Sequence, residues 1–281
     1  HSAPKARLSF IMSKRILFIG DIVGQPGRQC LQSLLSNTIR SRQIDLVVAN
    51  GENAAGGSGI NRSIAESIKR FGVDAITLGD HVWDQKGFEH EIESLPFVCR
   101  PANLPTSCPG RDALIIEKDG FRLGIFTVLG RHFMKIEADH PFFSADRMID
   151  RLKGQCDAIL TEIHAEATSE KVAMGHYLDG RVSLVVGTHT HIPTADAIIL
   201  PRGTAYMTDA GMTGPYHSVL GREIDAVMGR MLDGMPRRFP VANKRIMLCG
   251  CIVTIGENAV AESIEAIQLP CRSTPTLSEG L

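Results

Sequence analysis

Short apolar runs that each end in polar residues recur five times along this chain, and this recurrence constrains the fold more than any other feature. The runs are rich in Val, Ile and Leu, which is typical of strands buried on both faces. Helical stretches over about 28–42 and 61–71 follow the first two runs. Alternating strands and helices predict an α/β fold whose parallel strands end at one sheet edge. The runs cover residues 15–20, 46–49, 75–78, 158–162 and 184–186.

The residues that follow these strands form a mixed set of carboxylate, amide and imidazole side chains. Because the strands end at the same edge, we expect these side chains to lie close together. The set is too large for one tetrahedral zinc site and contains no cysteine, so it predicts two metal ions sharing a bridging carboxylate, with Glu52 as the candidate bridge. The candidates are Asp21, Glu52, Asn53, Asp80, His81, His164, His189 and His191.

His189 and His191 stand one residue apart directly after the fifth strand. In an extended segment alternate side chains point the same way, so both imidazoles can face one place. Taken alone, such a pair is more often two ordinary loop histidines, and Asp21 alone fits a helix cap equally well. His81 suits either a proton donor or a buried histidine. The other strand-end residues favour the metal interpretation.

Hairpin signals interrupt the alternation of strands and helices. Lys118-Asp119-Gly120 joins strands predicted over 113–117 and 122–128, and Pro201-Arg202-Gly203 joins strands over 198–200 and 204–207. Two late strands are predicted over 246–255 and 259–267, so the sheets should be mixed. Met12 resembles a natural start, which predicts that residues 1–11 are a disordered or added extension. We expect one domain over 12–269 and a disordered tail over 270–281.

Charge and cysteine usage exclude several kinds of partner and compartment. A formal net charge of -1 disfavours a broad nucleic-acid surface, and no apolar run reaches the length of a membrane span. The seven cysteines are scattered and contain no Cys-x-x-Cys pair, which favours a reducing cytoplasm over a disulfide framework. Cys249 and Cys251 lie in an apolar strand and are predicted to be core residues rather than metal ligands.

In this order the residues resemble those of the calcineurin-like metallophosphoesterases, in particular the YmdB-like branch. The similar segments are Gly-Asp-Ile-Val-Gly (20–24), Asn-Gly-Glu-Asn-Ala (50–54), residues 164–171, Gly-Thr-His-Thr-His-Ile-Pro-Thr-Ala-Asp (187–196) and Gly-Met-Thr-Gly-Pro (211–215). The resemblance spans residues 12–269. Asp21-Ile22-Val23 lacks the histidine of the superfamily's first motif, and Asn53 is suited to supply the missing ligand. The implied fold is a two-sheet α/β/β/α sandwich, with mixed sheets flanked by helices.

The resemblance also implies a ligand set and a reaction. One ion would be held by Asp21, Asn53 and His191. The second would be held by Asp80, His164 and His189, with Glu52 bridging the two. Iron or manganese is the expected metal, and zinc fits the same ligands. The implied reaction is hydrolysis of small phosphodiesters such as 2′,3′-cyclic nucleotides, including 2′,3′-cAMP, by metal-activated hydroxide, with His81 as general acid.

One departure and two alternatives accompany this interpretation. The family pattern has Asn where this chain has Asp80, and the added negative charge predicts a shifted pH optimum or metal preference. A regulatory protein that binds metal and nucleotide with little turnover is an alternative function. An amidohydrolase also uses His-x-His, but places it on the first strand. A small phosphodiester and a second copy of the chain in a homo-oligomer are the expected partners, and no membrane or bulk nucleic acid is expected.

Overall fold

The computed structural model of the protein describes residues 13–271. The predicted extension over 1–11 and most of the predicted tail lie outside the described residues. Within this range, fourteen strands form two sheets, and six α-helices flank them. Within residues 13–271, none of the helices combines the length and the apolar composition that a membrane span requires.

The first sheet has eight strands, of which four form a parallel set in the order β1 (Lys14–Ile19), β3 (Leu46–Asn50), β4 (Ala75–Thr77) and β5 (Val98–Cys99). On its other side, β1 pairs with the antiparallel strand β13 (Ile246–Ile255). The sheet is therefore mixed, as predicted. Its remaining strands are β2 (Asp21–Ile22), β12 (Met212–Pro215) and β14 (Ala261–Pro270).

The second sheet has six strands in the order β10-β11-β9-β8-β7-β6. Its central strands β7, β8, β9 and β11 run parallel, and both predicted hairpins are present at its edges as antiparallel pairs. The strands are β6 (Leu114–Lys118), β7 (Phe121–Leu129), β8 (Ala158–His164), β9 (Leu184–Thr188), β10 (Ile198–Ile199) and β11 (Ala205–Met207). The helices are α1 (Gly24–Ser41), α2 (Arg62–Arg70), α3 (Phe88–Glu91), α4 (Pro141–Leu152), α5 (Thr168–Leu178) and α6 (Ile224–Asp233).

Side-chain alternation along the strands builds three apolar layers. In β1, Ile16 and Phe18 lie in a core between the two sheets, together with Ile125 of β7. Leu17 and Ile19 face the opposite way, into a core shared with α1 and α2. A third core lies between the second sheet and the helices α4 and α5. Two stacked mixed sheets covered by helices on both outer faces confirm the predicted α/β/β/α sandwich.

Several element boundaries differ from those expected from the sequence. Helix α1 begins at Gly24 rather than near residue 28, because Pro26 falls in the first helical turn, where no backbone N–H is required. The segment 208–215, for which no strand was predicted, contains β12, which pairs with β2 and β13. Strand β14 continues through Pro270, where the tail was expected to start. The sequence patterns did not predict α4 or α6.

Candidate metal centre

Side chains from the ends of strands in both sheets meet at a single point. His164, the last residue of β8, lies at its centre, with Nε2 3.1 Å from Glu52 Oε1 and 2.9 Å from Asp80 Oδ1. His189 completes this group, because its Nδ1 lies 3.1 Å from the same His164 nitrogen. All four residues offer a ligand atom within 4.8 Å of one another. Four side chains that the sequence predicted as ligands thus form one compact cluster.

The hydrogen bonds on the far side of His164 orient its ring. Its Nδ1 lies 2.8 Å from Thr188 Oγ1, and that hydroxyl donates at 2.5 Å to Glu162 Oε1. Because the Thr188 hydroxyl proton is used on the carboxylate, the hydroxyl oxygen accepts from His164 Nδ1–H. The lone pair of the neutral ring is then on Nε2, which faces the cluster. This is the arrangement typical of a metal-binding histidine with a polar partner behind it.

A second group adjoins the first and contains Asp21, Asn53 and His191. His191 Nε2 lies 3.6 Å from Asp21 Oδ2 and 3.2 Å from Asn53 Nδ2. Its other ring nitrogen, Nδ1, lies 3.1 Å from the carbonyl oxygen of Leu220, which can only accept. His191 therefore carries its proton on Nδ1 and directs the Nε2 lone pair into the site.

Asn53 links the two groups. Its Nδ2 donates at 3.0 Å to Glu52 Oε1 and faces His191, so the amide nitrogen occupies the position between the groups. A metal ligand must present Oδ1 instead, which requires a half-turn of the amide about its last torsion. Glu52 reaches both groups, since its Oε1 contacts Asn53 on one side and His164 on the other.

The electrostatics of the cluster favour a bound cation. Burial raises the pKa of Asp21 well above its usual value, and the Oδ1 atom of this carboxyl has no hydrogen-bond partner among the described residues. Burial acts against ionisation of Glu52 as well, but the charge of His164, its hydrogen bond to Glu52 and the charge of His81 together outweigh burial and lower the pKa of Glu52. Buried carboxylates with an unused oxygen are costly unless a cation compensates them. The donor set, carboxylate with imidazole and amide, suits divalent metal ions.

The pKa of His164 is shifted in the direction opposite to that of Glu52. Burial opposes its charged form, but the carboxylates of Glu52 and Asp80 outweigh burial and hold the pKa of His164 well above its usual value. His191 lies farther from the carboxylate pair, and burial lowers its pKa. A metal ion must therefore displace a proton from His164 but not from His191.

The sequence interpretation assumed an extended backbone for the His-x-His segment, and this assumption is wrong. His189 and His191 have φ values of 96° and 64°, in the left-handed region that non-glycine residues rarely occupy. Asp21 Oδ2 accepts from the backbone N–H of His189 at 3.0 Å, which holds one of these turns. The two imidazoles face the site because of this strained backbone rather than strand alternation.

Thr190, between the two histidines, is fixed by a buried ion pair. Asp209 Oδ2 accepts from the backbone N–H of Thr190 at 3.2 Å and from its hydroxyl at 2.7 Å. The same oxygen lies 2.7 Å from Lys171 Nζ, and both charged side chains are almost fully buried. The Lys171–Asp209 pair thus anchors the histidine segment to α5. The sequence interpretation did not select either residue, because nothing local marks them as partners.

His81 lies at the edge of the cluster. Its backbone N–H donates to Glu52 Oε2 at 3.1 Å, and its Nδ1 lies 2.7 Å from Asp84 Oδ2. Ser58 Oγ lies 3.2 Å from the same ring nitrogen and also contacts Asp84. A carboxylate partner on Nδ1 leaves Nε2 to exchange a proton with a substrate.

Gly79 permits the close approach of the ligands. A Cβ atom at this position would overlap with Glu52 Oε2 and His164 Nε2. Any other residue would therefore push apart two central members of the cluster. This is a packing requirement at the site rather than a turn requirement, since the backbone of Gly79 is not left-handed.

Two further carboxylates support the site but were not predicted. Glu166 Oε2 lies 3.1 Å from His189 Nε2 and fixes that ring from behind. Glu162 is fully buried between the sheets, where it accepts from Asn50 at 2.7 Å and Thr127 at 2.9 Å, in addition to Thr188. Because its oxygens are already hydrogen-bonded, Glu162 supports His164 rather than binding metal. Glu166 lies in the segment 164–171 and could have been found there; Glu162 sits inside an apolar strand and carries no such signal.

The sandwich of two sheets and the histidine–carboxylate cluster at the strand ends define a metallophosphoesterase-type protein. A family model described as "YmdB-like protein" matches residues 17–267. The chain belongs to this YmdB-like family, as the sequence motifs predicted.

Individual relatives agree with this classification. The chain is 43% identical over 243 residues to a Bacillus subtilis (strain 168) protein named 2′,3′-cyclic-nucleotide 2′-phosphodiesterase, covering 86% of this chain and 92% of the relative. The crystal structure of a hypothetical protein from Thermus thermophilus matches with a TM-score of 0.85 and 42% identity, over 91% of this chain and 99% of that one. The structure of a Mycoplasma pneumoniae protein described as a novel phosphatase matches with a TM-score of 0.86 and 33% identity, over 92% and 94% of the two chains.

Proposed function

We propose that this protein is a dinuclear-metal-dependent phosphodiesterase that hydrolyses 2′,3′-cyclic nucleotides such as 2′,3′-cAMP. The observation that carries the proposal is the cluster of Glu52, Asp80, His164 and His189, whose ligand atoms lie within 4.8 Å of one another. The name of the Bacillus subtilis relative, which covers most of the chain, supports the choice of substrate. Two adjacent metal ions are a common device for displacement reactions at phosphorus.

We assign the ligands to two ions. Asp21, Asn53 and His191 would hold the first, and the Oδ1 atom of Asp21, which has no hydrogen-bond partner within residues 13–271, supports this assignment. Asp80, His164 and His189, whose facing atoms lie 2.9–3.2 Å apart, would hold the second ion. Glu52 contacts both groups and is the proposed bridge. The proposed metals are manganese or iron, with zinc also compatible, because the ligands are nitrogen and oxygen donors.

The residues of the chain itself position and protonate the substrate. Two bound ions would supply Lewis-acid stabilisation of the phosphoryl oxygens and would lower the pKa of water. His81 donates a proton through Nε2 to the departing ribose oxygen, while Asp84 on Nδ1 keeps the ring oriented. The side chain of His81 is 35% exposed, so it can exchange protons with solvent between turnovers.

We further propose that the protein functions in a reducing compartment such as the cytoplasm. All seven cysteines are free thiols, and Cys249 and Cys251 are buried in the core, as predicted. A chain of this kind gains no stability from an oxidising environment.

The function is tested with the purified protein loaded with Mn²⁺ and incubated with 2′,3′-cAMP. We expect the parent to release adenosine monophosphate, which is detected by chromatography. For His81→Ala we expect kcat to decrease by about 10²–10⁴-fold. Metal content, measured by mass spectrometry, should equal that of the parent. His90→Ala is the matched control, because His90 is an exposed histidine whose ring forms an ion pair with Glu89 at 3.6 Å, away from the candidate metal centre. A parent protein that holds two ions but releases no product would contradict the proposal and favour a regulatory binding protein.

A further inference from the structure

An exposed aromatic side chain stands at the rim of the candidate metal centre. Phe133 lines a cavity of about 440 Å³ whose other walls include Asp80, His81 and His189. It is 86% exposed, more than any other large hydrophobic side chain among residues 13–271. The cavity therefore has a polar, metal-binding wall and a flat apolar ring beside it.

The position of Phe133 is imposed by its backbone and its neighbours. Its φ of 63° lies in the left-handed region, which is rare for an aromatic residue. Met134 and Ile136, directly after it, pack against the core of the first sheet. Before it, the backbone N–H of Arg131 donates to the Glu170 carboxylate at 2.9 Å. The segment 131–136 is thus anchored on both sides of Phe133, whose side chain is exposed to solvent.

We infer that Phe133 is the stacking platform for the nucleobase of the substrate. A nucleotide combines an anionic phosphodiester with a flat, apolar-faced base, and the two kinds of wall in this cavity match these two parts. Stacking on an aromatic side chain tolerates any base, since every base has a π-face. Phe133 therefore selects nucleoside phosphodiesters over those without a base, and binds purines more tightly than pyrimidines because their rings are larger.

This inference rests on the proposed function, because it assigns the base-binding part of the same site. The test compares Phe133→Ala, Phe133→Trp and the parent with two substrates. One is 2′,3′-cAMP, and the other is methyl riboside 2,3-cyclic phosphate, which has the same reacting groups but no base. Phe143→Ala is the matched control, since Phe143 is 60% exposed but does not line this cavity.

For Phe133→Ala we expect KM for 2′,3′-cAMP to rise roughly 5- to 150-fold, the range typical of alanine substitution at base-stacking residues, with little change in kcat. The constants for the base-free substrate should not change, and Phe133→Trp should restore the parent KM. Equal losses on both substrates, or no loss on either, would overturn the inference.

Binding of adenosine monophosphate, measured by calorimetry, separates this inference from the proposed function. The weaker binding of Phe133→Ala is expected whether or not the parent turns over 2′,3′-cAMP. An inactive parent whose nucleotide affinity falls on loss of Phe133 would refute the proposed reaction but retain the stacking role. Equal nucleotide affinities of parent and variant would refute the stacking role alone.

Discussion

Substitution of Thr188 by valine isolates the hydrogen-bond chain behind the metal centre. Valine has nearly the same shape as threonine, so Thr188→Val removes a hydroxyl without opening a cavity. That hydroxyl accepts from His164 Nδ1 and donates to Glu162 Oε1, and all three residues are fully buried. The variant leaves the His164 N–H without this acceptor, and leaves Glu162 with Asn50 and Thr127 as its remaining donors.

The expected cost follows from the two hydrogen bonds. In the metal-free protein each bond has a charged partner, the Glu162 carboxylate or the His164 ring, whose pKa is raised. Such bonds contribute about 1.5–3 kcal/mol each, so the free energy of unfolding should fall by about 3–6 kcal/mol. For a chain of this size the melting temperature should then decrease by roughly 6–24 °C. Loss of the group that orients a metal-binding histidine should also weaken metal affinity by about 10- to 100-fold.

Thr161→Val is the matched control for this experiment. Thr161 is fully buried in β8, as His164 is, but its hydroxyl has no hydrogen-bond partner among residues 13–271. Removing that hydroxyl should leave stability unchanged or increase it. The measurements are thermal unfolding of both metal-free variants and titration of each with Mn²⁺. If the two valine variants lose the same stability and the same metal affinity, the orienting role of Thr188 is wrong.

Three further variants or treatments have defined outcomes. Asp80→Asn removes one of the carboxylates that raise the pKa of His164, so protons compete less with metal for this histidine. The acidic limb of the pH–rate profile should therefore move to lower pH. Coincident profiles of variant and parent would contradict this expectation. Lys171→Met leaves the Asp209 charge buried without its partner and should cost about 3–5 kcal/mol in urea unfolding, a loss that an exposed Lys86→Met control should not show. Burial raises the pKa of the Cys249 thiol to about 11 and of Cys251 to about 12, so a maleimide at pH 7.5 should label neither in the folded protein; rapid labelling of these thiols would show that the core opens. The half-buried cysteines, which should react first, are Cys108, Cys156 and Cys271.

The local patterns predicted an α/β fold with mixed sheets and the members of the candidate metal cluster, whereas the two-sheet sandwich was implied by the family resemblance. Each strand end combines a short apolar run with polar residues, and the parallel arrangement brings these ends to one edge. Asp21 and His164 are far apart in sequence, yet the strand pattern was sufficient to place them together.

The supporting residues depend on contacts that no local pattern encodes. Glu162 lies inside an apolar strand, and its partners Asn50 and Thr127 belong to different strands. Lys171 and Asp209 form their ion pair across 38 positions of sequence. The left-handed backbone of His189 is likewise imposed by a tertiary contact, the hydrogen bond to Asp21. Such features arise only from contacts between elements that are distant in sequence.

The division of the ligands between the two sheets has a consequence for folding kinetics. The first sheet contributes Asp21, Glu52 and Asp80, whereas His164 ends β8 and His189 follows β9 of the second sheet. An intermediate with only one sheet formed lacks half of the cluster and cannot bind metal as the native state does. A higher metal concentration should therefore slow unfolding and leave the folding rate nearly unchanged. The reason is that the ions bind after the step that packs the sheets together.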